Sequence, residues 1–250
     1  MRGFVLWLMV GILTLHSSRS FSETVALATV DWAPYYAESL SEQGFITAIV
    51  REAFKREDYQ LEVTFLPWKR ALEMARSGKY DGLLGAYYNE DRARSFYYSH
   101  PIGKAEEVFI QNAGRNIHYT SLDDLKSYII ATLRGGAQAG DLRAAGFDVV
   151  VNNDDISSLK MLEKFRVDLV VMSRQKFLFQ IQNEPALQGL QGAFEVVLPP
   201  FKTYELFVTI SHNREKGSEL IERFNQGLLS IQSDGTETEI LKRFGQYTGQ

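Results

Sequence analysis

The chain has 250 residues, with 27 basic and 31 acidic side chains and a formal net charge of −4. This mildly acidic balance lacks the electrostatic signature of a nucleic-acid-binding surface. The chain has no cysteine, which excludes disulfides, thiol catalysis and cysteine-ligated metal sites. Apolar residues make up 45% of the sequence, which is enough for a packed globular core.

The N-terminal segment has the order of a secretory signal. Arg2 precedes an apolar run at 4–15, and small polar residues follow up to Ser22. The run is shorter than the roughly 20 apolar residues that span a bilayer. We therefore expect residues 1–22 to be a signal peptide, cleaved after Ser20 or Ser22, and the mature protein to be a soluble periplasmic monomer. A retained membrane anchor is the alternative.

Strand and helix patterns alternate from residue 24 onward. Hydrophobic periodicity predicts helices at 44–57 and 68–80 between strands at 24–30, 61–67 and 81–88. This βαβαβ order with short connections predicts a parallel sheet covered by helices.

A second alternating run follows the turn at 113–116. It begins with a capping-box pattern at 121–124 and contains a glycine-rich turn at 134–140 and a helix opened by Asp154 and Asp155. Its strands are predicted at 128–133, 147–151, 167–172 and 204–210, and two C-terminal helices at 215–233 and 235–245. Two such runs in a chain of this length predict two small α/β lobes.

An ordered set of motifs runs through the whole chain after residue 22. In sequence order these are Trp68, Ser77-Gly78-Lys79-Tyr80-Asp81, Asn89-Glu90-Asp91-Arg92-Ala93, Phe96-x-x-Ser99-x-Pro101, Ser121-Leu122-Asp123-Asp124-Leu125, Arg166-Val167-Asp168, Asp234-Gly235-Thr236 and Phe244-Gly245. The set resembles family 3 of the bacterial periplasmic solute-binding proteins, the polar amino-acid family. Single motifs are weak, but their order and spacing are specific.

The resemblance implies an α/β, two-lobed periplasmic binding protein fold of type II. In this fold the chain crosses the hinge twice, and the lobes close on a ligand in the cleft between them. Lobe 1 would comprise 23–113 plus 199–250, and lobe 2 would comprise 114–198. The expected ligand is a small carboxylate-bearing solute, such as an amino acid, with no cofactor. The expected partner is an inner-membrane ABC permease or a sensor.

Arg92 is the principal candidate for ligand binding. In the family, the arginine of this turn makes a bidentate salt bridge to the ligand carboxylate. A planar guanidinium offers two parallel donors that match a carboxylate. The alternative is a solvated turn arginine paired with Glu90 or Asp91, which would contribute little.

The turn after the first strand holds Asp31, Trp32 and Tyr35, at the strand end where open α/β sheets place ligands. The resemblance places an aromatic residue, here Trp32, over the ligand, with Asp31 and Tyr35 beside it. The alternative for Trp32 is a core aromatic residue that caps the sheet.

Two positions depart from the family pattern. Gly85 and Tyr87 belong to a strand end where small hydroxyl residues usually receive the ligand, so the tyrosine reshapes the pocket or packs in the strand. Ser173 stands where the family commonly has an acidic residue that pairs with the ligand α-ammonium. An ordinary α-amino acid is therefore in doubt, and a carboxylate without that ammonium, or one bound differently, is favoured.

Two further segments are candidates by the resemblance. The turn Arg134-Gly135-Gly136-Ala137-Gln138 would contact the ligand from the second lobe, because glycines let backbone N–H groups approach an anion. A plain turn is the alternative. Trp68 and Arg70 open a helix that would face the cleft, although an exposed position in the first helical turn is the favoured interpretation of Arg70.

A search for catalytic patterns is mostly negative. His100, His118 and His212 lack metal-ligand spacing, and neither a nucleophile elbow nor a dinucleotide fingerprint occurs. We expect no catalytic residue and no metal. The rival hypothesis is a periplasmic lyase or dehydratase on the same scaffold, which would need a carboxylate or histidine in the cleft as acid or base.

Overall fold

The computed structural model describes residues 23–246. The predicted signal peptide at 1–22 lies outside the described residues. None of the helices found between residues 23 and 246 is long and apolar enough to cross a membrane.

The strands of the described chain form one mixed sheet. They are β1 (Glu23–Thr29), β2 (Tyr59–Phe65), β3 (Gly82–Tyr87), β4 (Phe96–Asn112), β5 (Ile130–Leu133), β6 (Val149–Asn152), β7 (Leu169–Ser173) and β8 (Phe194–Ser211). Their hydrogen-bonded order is β2-β1-β3-β8-β4-β7-β5-β6.

The helices cover this sheet. They are α1 (Phe45–Arg56), α2 (Trp68–Arg76), α3 (Glu90–Ala93), α4 (Ala137–Ala144), α5 (Asp155–Glu163), α6 (Arg174–Asn183), α7 (Gly217–Ser233) and α8 (Thr236–Arg243). Side chains of Asn89, Asp154 and Ser173 cap α3, α5 and α6 by accepting backbone N–H bonds. The capping box at 121–124 is confirmed and opens a single 3-10 turn.

The parallel sheet predicted for β1, β2 and β3 is confirmed, and the described sheet as a whole is mixed. β1 pairs in parallel with β2 and β3, and β5 pairs in parallel with β6 and β7. We call these the first and second parallel groups. β4 and β8 are antiparallel to each other and to the strands beside them.

β4 and β8, the crossing strands, join the two groups. Residues 96–105 of β4 pair with the end of β8, which also pairs with β3, whereas residues 107–110 of β4 pair with β7. β4 stays paired with β8 on both sides of a register shift between Glu107 and Phe109. The crossings thus lie inside the strands, and the lobe limits at 113 and 199 stay a prediction.

Each parallel group buries its own apolar core. The first core lies between β1, α1 and α7 and includes Leu27, Ile49, Phe54, Phe224 and Leu228. The second group has a cluster on each face, with Leu159, Leu162 and Phe177 in one and Leu125, Leu142 and Leu169 in the other. Separate cores let each group keep its shape if the other moves.

The packing of α7 on α1 depends on Gly227. A Cβ built at this position would overlap the carbonyl oxygen of Ala53. We expect Gly227→Ala to force the helices apart and to lower the free energy of unfolding by about 1–3 kcal/mol. The matched control is Gly140→Ala in α4, where a Cβ meets nothing within 4 Å. That change should raise stability by about 0.5–1 kcal/mol, as helical glycine-to-alanine changes do.

Urea unfolding of both variants checks this prediction. Equal midpoints for Gly227→Ala and the unmodified protein would contradict it, because they would show that the helices can separate without loss of stability.

Candidate ligand-binding cavity

A cavity lies between the carboxyl ends of β1 and β3 on one side and the β5–α4 turn on the other. It measures about 440 Å³, including space open to solvent. The first parallel group and its loops contribute Val30, Trp32, Tyr36, Trp68, Gly85, Tyr87 and Arg92, and the second contributes Leu133, Gly136, Ala137 and Gln138. Carboxyl ends of parallel strands are the usual ligand position in open α/β sheets.

Arg92 forms the charged part of the cavity wall. The short helix α3, capped by Asn89, holds it so that its side chain is 5% exposed. Its Nη1 donates to the carbonyl oxygen of Tyr87 at 2.7 Å, and its guanidinium carbon lies 5.2 Å from the centre of the Trp68 ring. Burial lowers the pKa of Arg92 from its ordinary value.

The alternative of a solvated Arg92 paired with a neighbour is wrong. Asp91 forms its ion pair with Arg76 instead, at 3.4 Å. Within residues 23–246, no carboxylate lies within ion-pair distance of the Arg92 guanidinium, which lies over the Trp68 ring and near the Tyr98 hydroxyl. Arg92 is therefore a buried cation without an anionic partner.

Aromatic rings form the wall next to Arg92. Trp32 is 9% exposed, stacks on Tyr35 with ring centres 4.4 Å apart, and meets Tyr87 edge-on at 5.7 Å. The hydroxyl of Tyr36 donates to the carbonyl oxygen of Gly85 at 3.1 Å. A Cβ at Gly85, whose φ is +77°, would overlap the Tyr36 ring, so the glycine permits this close approach.

The β5–α4 turn closes the cavity from the second parallel group. Trp68 Nε1 donates to the carbonyl oxygen of Gly135 at 3.3 Å, which joins the two walls. Gly136 and Ala137 line the cavity as the sequence predicts. Gln138, the last residue of the same predicted turn, also lines it.

Seven predicted residues thus lie on the cavity wall, namely Trp32, Trp68, Gly85, Tyr87, Arg92, Gly136 and Ala137. Gln138 of the predicted turn lies there too, whereas Tyr36, Val30 and Leu133 were missed. The remaining six predicted residues do not line the cavity, because each contacts another part of the fold.

Three of these six residues either bond to nearby segments of the chain or are exposed to solvent. Asp31 accepts a bond from the backbone N–H of Glu38 at 2.8 Å. Arg134 is exposed and donates to Asn153 Oδ1 at 3.1 Å and to the carbonyl oxygen of Val151 at 3.3 Å. Arg70 is exposed, in agreement with the favoured interpretation.

The other three join elements beside the cavity. Gly135 contributes only its carbonyl oxygen to Trp68. Tyr35 lies behind Trp32, and its hydroxyl donates to Gln175 Oε1 at 2.8 Å and lies 3.4 Å from Ser173 Oγ. Ser173 is 1% exposed and caps α6 through a bond from the backbone N–H of Lys176. Its hydroxyl is therefore committed to the fold.

A buried carboxyl group, Glu107, lies behind the wall and was not predicted. It is fully buried on β4, where its Oε1 accepts a bond from the Tyr87 hydroxyl at 2.6 Å and its Oε2 has no partner. Burial raises its pKa to about 7. The nearby ion pair of Lys176 with Asp155, at 2.5 Å, is also buried.

The sequence of residues 25–247 matches the bacterial extracellular solute-binding proteins, family 3. The chain belongs to this family. No curated protein matches it.

Solved structures with the same fold include three informative neighbours. A histidine kinase sensor domain with similarity to periplasmic binding proteins superposes with a TM-score of 0.77 at 18% identity, covering 90% of this chain and 96% of that one. The GluR0 ligand-binding core from Nostoc punctiforme, in complex with L-glutamate, gives 0.72 at 20% identity, with coverage of 90% and 100%. An arginine transport-system periplasmic binding protein from Legionella pneumophila gives 0.73 at 17% identity, with coverage of 89% and 100%.

These findings confirm the predicted family and fold class. At such identities the neighbours show the fold alone, which is the two-lobed α/β fold with a cleft between the lobes. The family consists of solute-binding proteins rather than enzymes. Among the described residues, no cluster of three or more histidine, aspartate or glutamate side chains could hold a metal ion.

Glu107 predicts a pH dependence of stability. Its folded pKa of about 7 exceeds its ordinary value of 4.5, so the folded state binds the proton more tightly than the unfolded chain does. This contribution is complete below the unfolded pKa and is lost as the pH rises through 7. We expect Glu107→Gln, which stays neutral, to reduce the loss of stability between pH 5 and pH 8 by about 2–3 kcal/mol.

Urea unfolding at the two pH values measures this effect. Glu106→Gln is the matched control, because Glu106 is partly exposed and pairs with Arg174 at the surface. A pH dependence that is the same in Glu107→Gln and in the unmodified protein would contradict the prediction.

Proposed function

We propose that this protein captures a small carboxylate-bearing solute in the cavity, with the guanidinium of Arg92 receiving the carboxylate. The observation that carries the proposal is the burial of Arg92 at the wall without an anionic partner. A buried unpaired cation is costly, and a ligand carboxylate would offset this cost through two charge-assisted hydrogen bonds.

The contacts around the cavity support binding by closure of two lobes. Trp68 with Gly135, and Tyr35 with Gln175, join elements of the first and second parallel groups on either side of the cavity. Only the crossing strands β4 and β8 pair between the groups in the described sheet. Bending of these two strands would separate the walls and admit the ligand.

We further propose binding without catalysis. A lyase or dehydratase needs an acid or base in contact with its substrate. The titratable groups on the wall are Arg92 and the hydroxyls of Tyr36 and Tyr87, and these hydroxyls are committed to Gly85 and Glu107. Burial raises the pKa of both tyrosines, so neither is suited to act as a base near neutral pH.

The cellular role that fits this function is reception of a solute in the periplasm by an exported monomer. An inner-membrane ABC permease would be the partner in transport, and a membrane sensor would be the partner in signalling. Relatives with the same fold include the substrate-binding protein of an amino acid ABC transporter and a histidine kinase sensor domain. Both roles begin with the same binding step.

Substitution of Arg92 tests the proposed function. A thermal-shift screen of amino acids and small carboxylates first identifies a ligand, since a ligand at about 100 times its Kd adds roughly 2.7 kcal/mol of stability. Arg92→Ala should then weaken binding by about 2–5 kcal/mol, because the ligand carboxylate loses its buried partner. Arg92→Lys should fall between, because it keeps the charge without the paired donors.

Calorimetry of the variants measures these affinities, and Arg94→Ala is the matched control. Arg94 is the exposed residue that ends α3, so its removal should leave affinity unchanged. Full affinity in Arg92→Ala would refute the proposed role of the guanidinium. The unfolding midpoint without ligand shows separately whether each variant is folded.

A further inference from the structure

The cavity wall carries positive charge but no negative charge. Among its described residues, Arg92 is the ionised side chain, and none is a carboxylate. The remaining wall consists of aromatic rings, aliphatic side chains, glycines, an alanine and the amide of Gln138. The hydroxyls of Tyr36 and Tyr87 already donate to acceptors within the protein. The wall therefore offers a site for one negative charge and for an apolar body.

The carboxylates near the cavity are engaged behind its wall. Glu107 is fully buried and accepts the Tyr87 hydroxyl, and Asp155 is paired with Lys176. Asp141 accepts the hydroxyl of Tyr204 at 2.5 Å and also pairs with Lys202. None of the three belongs to the wall. A ligand ammonium would find no anion in contact with it.

We propose that the cavity takes a monocarboxylate with a flat apolar body and no ammonium group. This inference rests on the proposed role of Arg92 and names the class of ligand. A zwitterion would place its ammonium near the buried Arg92 cation on a wall that has no carboxylate, and like charges repel there. A monocarboxylate neutralises Arg92 and leaves no unpaired charge.

The aromatic wall does not provide an alternative site for a ligand cation. Trp68 is the ring that faces a cation, and that cation is the guanidinium of Arg92. One face of Trp32 is stacked on Tyr35, and Tyr87 approaches it edge-on. Rings arranged in this way form a corner that favours offset or edge contacts with a flat apolar group.

Matched ligand pairs test the inference. 3-Phenylpropanoate differs from L-phenylalanine by the α-ammonium group, and 4-methylpentanoate differs from L-leucine in the same way. Calorimetry with the purified protein should give a Kd about tenfold lower, or better, for each acid than for its amino acid. 3-Phenylpropanamide, which keeps the body and loses the charge, should bind more weakly than 3-phenylpropanoate.

Two outcomes would overturn the inference. One is an amino acid that binds as tightly as its partner acid, and the other is failure of both acids to bind at millimolar concentration. The proposed function is judged separately, because an amino acid that loses its affinity in Arg92→Ala still uses the guanidinium. In Glu107→Gln, a larger loss of affinity for L-phenylalanine than for 3-phenylpropanoate would show that Glu107 receives an ammonium and would contradict the inference.

Discussion

The antiparallel pairing of β4 with β8 is the constraint on which the rest of the structure depends. These strands supply the links between the first and second parallel groups in the described sheet, and each parallel group has its own apolar core. The cavity lies where the carboxyl ends of strands from both groups meet. Its shape therefore follows from how the crossing strands orient the groups, and a small bend in two strands changes the distance between its walls.

Two buried ionisable groups near this crossing are accommodated in different ways. Burial disfavours the charged form of both, so it lowers the pKa of Arg92 and raises that of Glu107. Glu107 can lose its charge by binding a proton near neutral pH, and it then needs no ionic partner. An arginine cannot lose its charge in the physiological range. The chain supplies Arg92 with a carbonyl oxygen and an aromatic ring but with no carboxylate, which is why its burial favours a ligand more strongly than the burial of Glu107 does.

Much of the fold could be predicted from the sequence, and the reasons for the errors are physical. Hydrophobic periodicity locates α1, α2 and the strands around them, because each element buries one face. The same periodicity carries no information on strand direction, so the antiparallel pairing of β8 was not predicted, and β4 was missed as a strand. β4 also contains Pro101 and Gly103, which interrupt a strand pattern, and the structure has register shifts at both.

The same distinction applies to the site residues, some of which could be predicted from the sequence and some of which could not. Arg92 could be predicted because a motif carries it, and Trp32 because it follows the first strand. Glu107 and Tyr36 belong to no motif, and their contacts depend on tertiary structure. Asp31 and Arg134 neighbour the right segments, but their side chains bond to nearby backbone instead, as polar residues in turns often do.

Tyr87, which stands where the family usually has a small hydroxyl residue, also makes contacts behind the cavity wall. Its carbonyl oxygen accepts a bond from Arg92, its hydroxyl donates to Glu107 on β4, and its ring stacks on Tyr204 of β8 at 4.4 Å. A small hydroxyl residue at this position could donate to a ligand, but it could neither span the distance to Glu107 nor stack on Tyr204. The tyrosine hydroxyl is thus not available to donate to a ligand. Its contacts instead connect the turn that holds Arg92 to β4 and β8. Loss of the tyrosine hydroxyl would remove the donor to Oε1 of Glu107, and a buried carboxyl oxygen without its donor is costly.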